Sequence, residues 1–292
     1  MDLINHIPFG LREEDQMYAG VADVPKGRLC GCVCPSCHLP LIARQGKVNR
    51  WHFAHAGRKV GDIAQSCQYS FFVSVRAMAR QIIEPGFRLF KPGYTDLVSE
   101  RRHGKLFSES FRVTDPGTIT LGAVRKECLF EQTVVDICTE INGYPLVIYF
   151  SHPERRVPVS LEKPDNKRCG VLEIDLTGTK ALFLAKNTAS DRFDEVIKTF
   201  IEGDEHSKKW IYHPGKHSVM LRARARLEKK IANWKPPLKQ VKIRNNPYAH
   251  SERGRECRYE CQMCKTKWSA FEYEKAVCPG CRCSAHLYSR PI

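Results

Sequence analysis

At 292 residues the chain is too long for one small core, and 42% hydrophobic with 27% charged residues excludes wholesale disorder. The longest strongly apolar run, Pro145 to Phe150, is far shorter than the roughly 20 residues of a membrane helix, and MDLINHIPFGLREEDQ lacks the pattern of a secretory signal. A net charge of +15 asks for a polyanionic partner, most economically nucleic acid, with a solubilising surface as the bland alternative. These totals predict a soluble, cytoplasmic protein of two or three domains with no membrane contact.

The opening to Val24 carries no signal. The 14 cysteines then fall in two clusters, residues 30 to 67 and 257 to 283, with Cys128, Cys138 and Cys169 isolated between them. CxxC pairs in a chain without a signal sequence favour zinc ligation over disulfides. Cys34-Pro-Ser-Cys37 is a knuckle that aims two sulfurs at one point, and a tetrahedral Zn²⁺ needs two more such ligands. Cys34, Cys37, His55 and Cys67 form the expected set, with His52, Cys30 and Cys32 as substitutes. The opposing reading is a reduced cysteine cluster beside a core histidine. The residues between, LPLIARQGKVNRWHFAH, read as a hairpin around Gln45-Gly46. From Ser70 to Glu84 the pattern is helical, with Phe72, Val75, Met78, Ala79 and Ile82 on one stripe and Pro85-Gly86 as the stop. The stripe is expected to be core packing that closes the zinc module.

The sequence CPSC, then LIARQG, then HFAH, then Cys67 with Ser70 opening a helix, resembles the N-terminal zinc-finger segment of competence protein CoiA-like proteins. The resemblance covers about Cys34 to Ala79. The family usually has a histidine three positions after the serine, where this chain has Val73.

Residues 132 to 152 form the most legible hairpin. Two β-rich runs flank Asn142-Gly143, the dipeptide of a type I′ turn, so that Ile141 faces Tyr144, Glu140 faces Pro145 and Asp136 faces Tyr149. Alternation places Val134, Asp136, Cys138 and Glu140 on one face and Val135, Ile137, Thr139 and Ile141 on the other. A mid-strand acid among apolar neighbours is costly unless paired, which makes Asp136 a functional candidate, or else an acid bonded to a neighbour.

The resemblance implies that a PD-(D/E)xK nuclease-like domain follows the finger. In such a domain Asp136 is the first metal-binding acid, and a second acid and a lysine or glutamine lie across the hairpin. Those positions hold Tyr149 and Ser151, and the arginine often found two residues before the aspartate is Val134. Phosphodiester cleavage needs two or more carboxylates on Mg²⁺ or Mn²⁺. Glu140 shares the Asp136 face, and Glu131, Glu162, Lys163, Glu173 or Asp175 are further candidates to complete a site. The residues favour a catalytically inactive nuclease-like fold.

After the hairpin, residues 152 to 167 read as a loop, VLEIDLT at 171 to 177 as a half-buried strand, and ASDRFDEVIKTFIE at 189 to 202 as a helix capped by Ser190. Between Lys208 and Arg255 lie 14 basic residues and two acids. Within this segment Ser218 to Trp234 reads as a helix. Met220, Ala223, Leu227, Ile231 and Trp234 would dock, and Arg222, Arg224, Arg226, Lys229 and Lys230 would meet phosphates. A basic linker follows. Then Cys261-x2-Cys264, 13 residues and Cys278-x2-Cys281 have the spacing of a zinc ribbon, with Cys257 and Cys283 as spares. The ribbon's Lys265, Lys267, Arg282 and Arg290, with Trp268, Phe271 and Tyr273, also suit contact with strands or bases.

The reading is therefore an α+β protein. It comprises a zinc module at 1–90, a nuclease-like α/β sandwich at 91–205, a basic helix and linker at 206–253, and a zinc ribbon at 254–292. Two Zn²⁺ sites are expected, and Mg²⁺ or Mn²⁺ only if the fold cleaves. The leading function is nucleic-acid binding, to DNA before RNA, in DNA processing, recombination or phage and plasmid biology. The alternatives are an active nuclease using Asp136 and an adaptor between proteins stapled by zinc.

Overall fold

The computed structural model describes residues 6–47, 50–56, 67, 70–185, 192–235, 256–271, 277–282 and the backbone of 287–291. The chain divides into two compact units, residues 1–234 and 235–292. The fold is mixed helix and sheet, with Cys/His clusters near both ends.

In the first unit, β1 (Phe9–Arg12), β2 (Tyr18–Gly20) and β3 (Cys32–Val33) make a small sheet in the order β2-β1-β3. The stretch before Val24, silent in the sequence, thus supplies two strands. Next, β4 (Leu41–Arg44) and β5 (His52–His55) pair with Leu41 opposite His55 and Arg44 opposite His52. This is the expected hairpin with a longer connection, because the register does not centre on Gln45-Gly46. Gln45 instead donates from Nε2 to the carbonyls of Val21 and Val24, at 2.8 and 3.0 Å.

Helix α1 (Ser70–Ile82) follows the predicted span closely. Its stripe is core packing, as expected, but it joins the main core, with Phe9 of β1, rather than the cluster around the metal ligands. Phe71, Phe72, Val75, Met78 and Ala79 pack with Ile137, Ile148, Phe150, Leu172 and Ile174 in the main core, each large side chain contributing about 1.5–3 kcal/mol by burial. Pro85 and Gly86 then end the helix, and Gly86 adopts φ +89°, a conformation that suits glycine.

Next come β6 (Arg88–Lys91), β7 (Tyr94–Arg102), β8 (Lys105–Thr114) and β9 (Gly117–Thr120). Strands β7 and β8 form a long hairpin, and β6 pairs with β9. The central sheet is built from β10 (Arg125–Phe130), β11 (Thr133–Ile141) and β12 (Tyr144–Ser151). After short helix α2 (Val159–Glu162) it adds β13 (Gly170–Asp175). Helices α3 (Thr179–Leu184) and α4 (Phe193–Gly203) intervene before β14 (Lys208–Tyr212), and the order is β10-β11-β12-β13-β14. Only β12 and β13 run parallel. The expected start of α4 and its Ser190 cap fall outside the described residues.

The hairpin register is the predicted one: Ile141 faces Tyr144, Glu140 faces Pro145 and Ile137 faces Ile148. Asn142 and Gly143 turn with φ +52° and +77°. The facing of β11 differs in one respect. Ile137 enters the main core, whereas Val135 packs on the opposite face with Cys138, Val147 and Tyr149. Strict alternation would put Val135 and Ile137 together, so the strand changes phase at Asp136.

Helix α5 (Lys216–Ala232) begins and ends two residues before the predicted span. In the second unit, β15 (Glu256–Cys261), β16 (Lys267–Phe271) and β17 (Leu287–Pro291) form a sheet in the order β16-β15-β17.

Candidate functional site

Three knuckles share one backbone device. The carbonyls of Cys34, Cys261 and Cys278 accept hydrogen bonds from the N–H groups of His38, Lys265 and Arg282, each at 2.8 Å. Those three donors have φ of +56°, +61° and +58°. A left-handed residue four positions after the first cysteine reverses the chain and holds both sulfurs on one side.

The first knuckle meets His55 at the end of β5 and Cys67. The ligand atoms of Cys34, Cys37, His55 and Cys67 all lie within 4.8 Å of one another. His55 Nε2 is 3.4 Å from Cys37 Sγ and 3.6 Å from Cys67 Sγ. Tetrahedral zinc with sulfur ligands at its usual bond length has edges of about 3.4–3.8 Å, so the spacing fits. Burial pushes the thiol pKa of Cys34 and Cys67 upward. The buried sulfurs would be thiolates only with a cation among them. Cys30, Cys32 and His52, the substitutes, are engaged elsewhere: Cys30 Sγ donates to Leu41 O, Cys32 Sγ to Cys30 O, and His52 Nδ1 lies 2.8 Å from Arg50 O.

The other two knuckles face each other. Sγ of Cys261, Cys264, Cys278 and Cys281 lie within 4.8 Å of one another, with Cys261–Cys281 at 3.5 Å and Cys264–Cys278 at 3.3 Å. The set is the one predicted, and the donors suit Zn²⁺. The Thr266 hydroxyl lowers the Cys264 pKa to about 6, so this thiol ionises readily. Gly280 is required sterically, since a Cβ there would meet Thr266 Oγ1 at 2.5 Å and Cys264 Sγ at 3.2 Å. Tyr259 stacks on Trp268 at 5.5 Å across β15 and β16. Cys257 is buried outside the set, and Cys283 and Tyr273 fall outside the described residues.

Asp136 is fully buried and saturated by cations. Arg76 Nε donates to Oδ1 at 2.6 Å, and Arg80 Nη1 stands 3.8 Å from the same oxygen. Oδ2 accepts from Arg155 Nη1 and from the Phe150 N–H, both at 2.8 Å. Arg155 Nη1 also donates to Phe150 O, its Nη2 to Val134 O, and its guanidinium lies over the Tyr149 ring at 3.7 Å. Beyond the Ile137–Ile148 pair, then, the Arg155 guanidinium joins β11 to β12 in place of ladder bonds. This accounts for the phase change.

The other acids do not gather here. Glu140 is exposed near the turn. Glu131 accepts from the N–H groups of Asp165 and Asn166, Glu173 from Ser151 Oγ at 2.6 Å, and Asp175 from Thr177. Glu162 and Lys163 are exposed at the end of α2. Among the described residues, the groups able to hold a metal through three or more His, Cys, Asp or Glu ligands are the two Cys/His clusters. Among the described residues nothing at Asp136 supports Mg²⁺ or Mn²⁺. His152 beside it is buried, stacked on Phe72 at 5.6 Å, and its Nδ1 has no hydrogen-bond partner among the described residues. Burial, aided by Arg155, lowers its pKa to about 4.

Sequence reasoning missed the arginines. Arg76 and Arg80 are four apart on α1, off the apolar stripe, and that spacing was the available signal.

Helix α5 buries Ala223 and Leu227 against Val98, Phe107 and Phe111 of β7 and β8, with Met220, Ile231 and Trp234 alongside. This is the predicted docking stripe on an unpredicted hairpin. Arg226 Nε bonds Glu109 at 3.0 Å, and Lys230 Nζ bonds Ser108 O at 3.0 Å. Arg222, Arg224 and Lys229 are exposed.

Residues 27–69 match the family described as competence protein CoiA, N-terminal domain. All four ligands of the first cluster lie in this CoiA-like segment, which ends just before α1. No curated protein and no solved structure matches the chain. Among the described residues no helix is long and apolar enough to cross a membrane.

Proposed function

We propose that the protein binds nucleic acid, DNA in the first instance, in a competence-related process, and that it does so without cutting the strand. The carrying observation is α5, whose apolar stripe is docked while Arg222, Arg224 and Lys229 stay exposed. Guanidinium and ammonium groups so presented suit phosphate oxygens. The basic linker beyond α5 adds charge of the same sign. The two Cys/His clusters each hold Zn²⁺ and staple their modules, since so few core residues cannot order such small sheets alone.

In this reading the central sheet is a nuclease-like scaffold in which arginines occupy the neighbourhood a divalent metal would need. A carboxylate already accepting from Arg76, Arg155 and a backbone N–H has little left for a cation.

The test uses the full chain. Labelled single-stranded and duplex DNA are titrated with wild type and with Arg222→Glu/Arg224→Glu/Lys229→Glu, and the same substrates are incubated with Mg²⁺ or Mn²⁺. Binding that the variant loses, with intact substrate, is the expected result. Cleavage abolished by Asp136→Asn in a folded protein would establish the enzyme instead. Absence of binding, together with a protein partner retained at high salt after nuclease treatment, would favour the adaptor.

A further inference from the structure

The strand-binding surface proposed above has a second feature at the start of α5. A cavity of about 560 Å³ opens at the tip of the central hairpin, between Tyr144, Arg168, Trp210 and the loop that leads into α5. That volume is within the range of small-molecule sites.

Its chemistry differs from that of the cavities beside α4 and α5. The cavity along α4 carries Glu195 and Asp204, and the groove beside α5 carries Glu100 and Glu228. The hairpin-tip cavity is lined by Lys91, Lys167, Arg168 and His213, with no carboxylate among its lining residues. Some of this charge is already directed: Lys91 Nζ donates to Thr114 Oγ1 and Lys167 Nζ to Pro164 O. Arg168 is exposed, and its guanidinium stands 5.7 Å from the Tyr144 ring centroid.

The aromatic groups are fixed. Trp210 Nε1 donates to Pro92 O at 2.9 Å, and His213 stands edge-on to the Trp210 ring at 4.8 Å. Gly170 leaves space for the indole, since a Cβ there would lie 3.2 Å from Trp210 Cζ3. Tyr144 is 49% exposed at the mouth. A ligand with a flat apolar face and a negative charge satisfies all of these groups. Base stacking on aromatic and guanidinium planes is how single strands are commonly held.

The geometry points to a nucleotide-unit site in this cavity, with a base stacked against Tyr144 and Arg168 and its phosphate among the basic residues. Gly215 lines the cavity and α5 starts at the next residue. Arg222 follows about 10 Å along the helix axis and Lys229 about 21 Å. A strand lying along α5 would place one unpaired nucleotide in the cavity. The inference rests on the nucleic-acid reading, and it adds a preference for unpaired nucleotides that charge alone does not give.

The test compares wild type, Tyr144→Ala and Arg168→Ala with the α5 triple variant. The probes are a DNA single strand of about 12 nucleotides carrying 2-aminopurine, a blunt duplex of equal length, and a free nucleoside monophosphate. Tyr144→Ala is expected to weaken single-strand binding about tenfold and to remove the 2-aminopurine quenching, leaving the duplex affinity unchanged. Arg168→Ala should act in the same direction, and its metal content and circular dichroism report folding. Quenching competed equally by the free monophosphate would assign the site to free nucleotides; failure of the monophosphate to compete would assign it to a strand. If both cavity variants bind and quench like wild type while the triple variant loses binding, the cavity site is overturned and the nucleic-acid reading survives. No binding by wild type to any probe overturns both.

Discussion

Asp136 is held on every side that a metal would need, and removing it should reveal what the arrangement contributes. Deleting one partner of a buried charge cluster leaves the others unpaired, typically at about 3–5 kcal/mol. Arg76 and Arg155 are 19% and 17% exposed, so water recovers part of this, and a loss of about 2–3 kcal/mol is expected for Asp136→Ala. Urea unfolding would measure it, and a change under about 0.5 kcal/mol would mean that the guanidiniums leave for solvent at no cost. The residue was visible in the sequence as an acid that must be paired, but its partners were not. Two come from a helix 60 and 56 residues earlier and one from the loop after the hairpin. His152 offers a second residue-scale prediction. Its folded pKa of about 4 lies below the usual histidine value. Between about 6.5 and about 4 the unfolded chain therefore binds the extra proton, and stability falls as pH falls. Over that window His152→Phe should lose on the order of 2 kcal/mol less than wild type in urea titrations. Parallel pH curves for the two proteins would remove His152 from the explanation.

The metal knuckles were the most legible elements because their chemistry is local. Two cysteines three apart, followed by a residue that accepts positive φ, specify both sulfur positions in the sequence alone. The later ligands of the first site were harder: HxxH offered two histidines, and the structure chooses His55 because His52 turns to Arg50 O. Each cluster should bind its ion independently. Cys67→Ser and Cys278→Ser should each remove one of two zinc ions per chain by elemental analysis; loss of both from either variant would indicate a coupled site. Gly280→Ala should also release the second ion, because its Cβ has no room beside Thr266 and Cys264. Helix α5 was legible as a basic amphipathic helix, and its partner was not. In β7 and β8 only Val98, Phe107 and Phe111 are buried, and charged residues surround them. Such a strand pattern is too weak to read without the helix that covers it. Leu227→Ala should cost about 2–3 kcal/mol and detach that helix, measurable as faster amide exchange across α5 and β8.

At the scale of the whole first unit, the N-terminal module and the central sheet share packing that no local signal announces. Phe9 of β1 stacks on Phe193 of α4 at 5.7 Å, and Gln81 of α1 exchanges hydrogen bonds with the backbone of Tyr18. Arg50 donates to the carbonyls of Leu182 and Phe183 while lying 4.8 Å from the Phe193 ring. These contacts join residues far apart in the chain, which is why periodicity revealed the elements and not their assembly. Charge, by contrast, was legible at this scale, and it carries the functional reading. The most direct measurement is the salt dependence of DNA affinity for wild type and for Arg222→Glu/Arg224→Glu/Lys229→Glu. With three phosphate contacts from α5, wild-type affinity for duplex DNA should fall at least about 40-fold between about 50 and about 200 mM salt. The variant's log–log slope should be shallower by about 3. Affinity indifferent to salt, or an equal slope in the two proteins, would contradict a grip through α5.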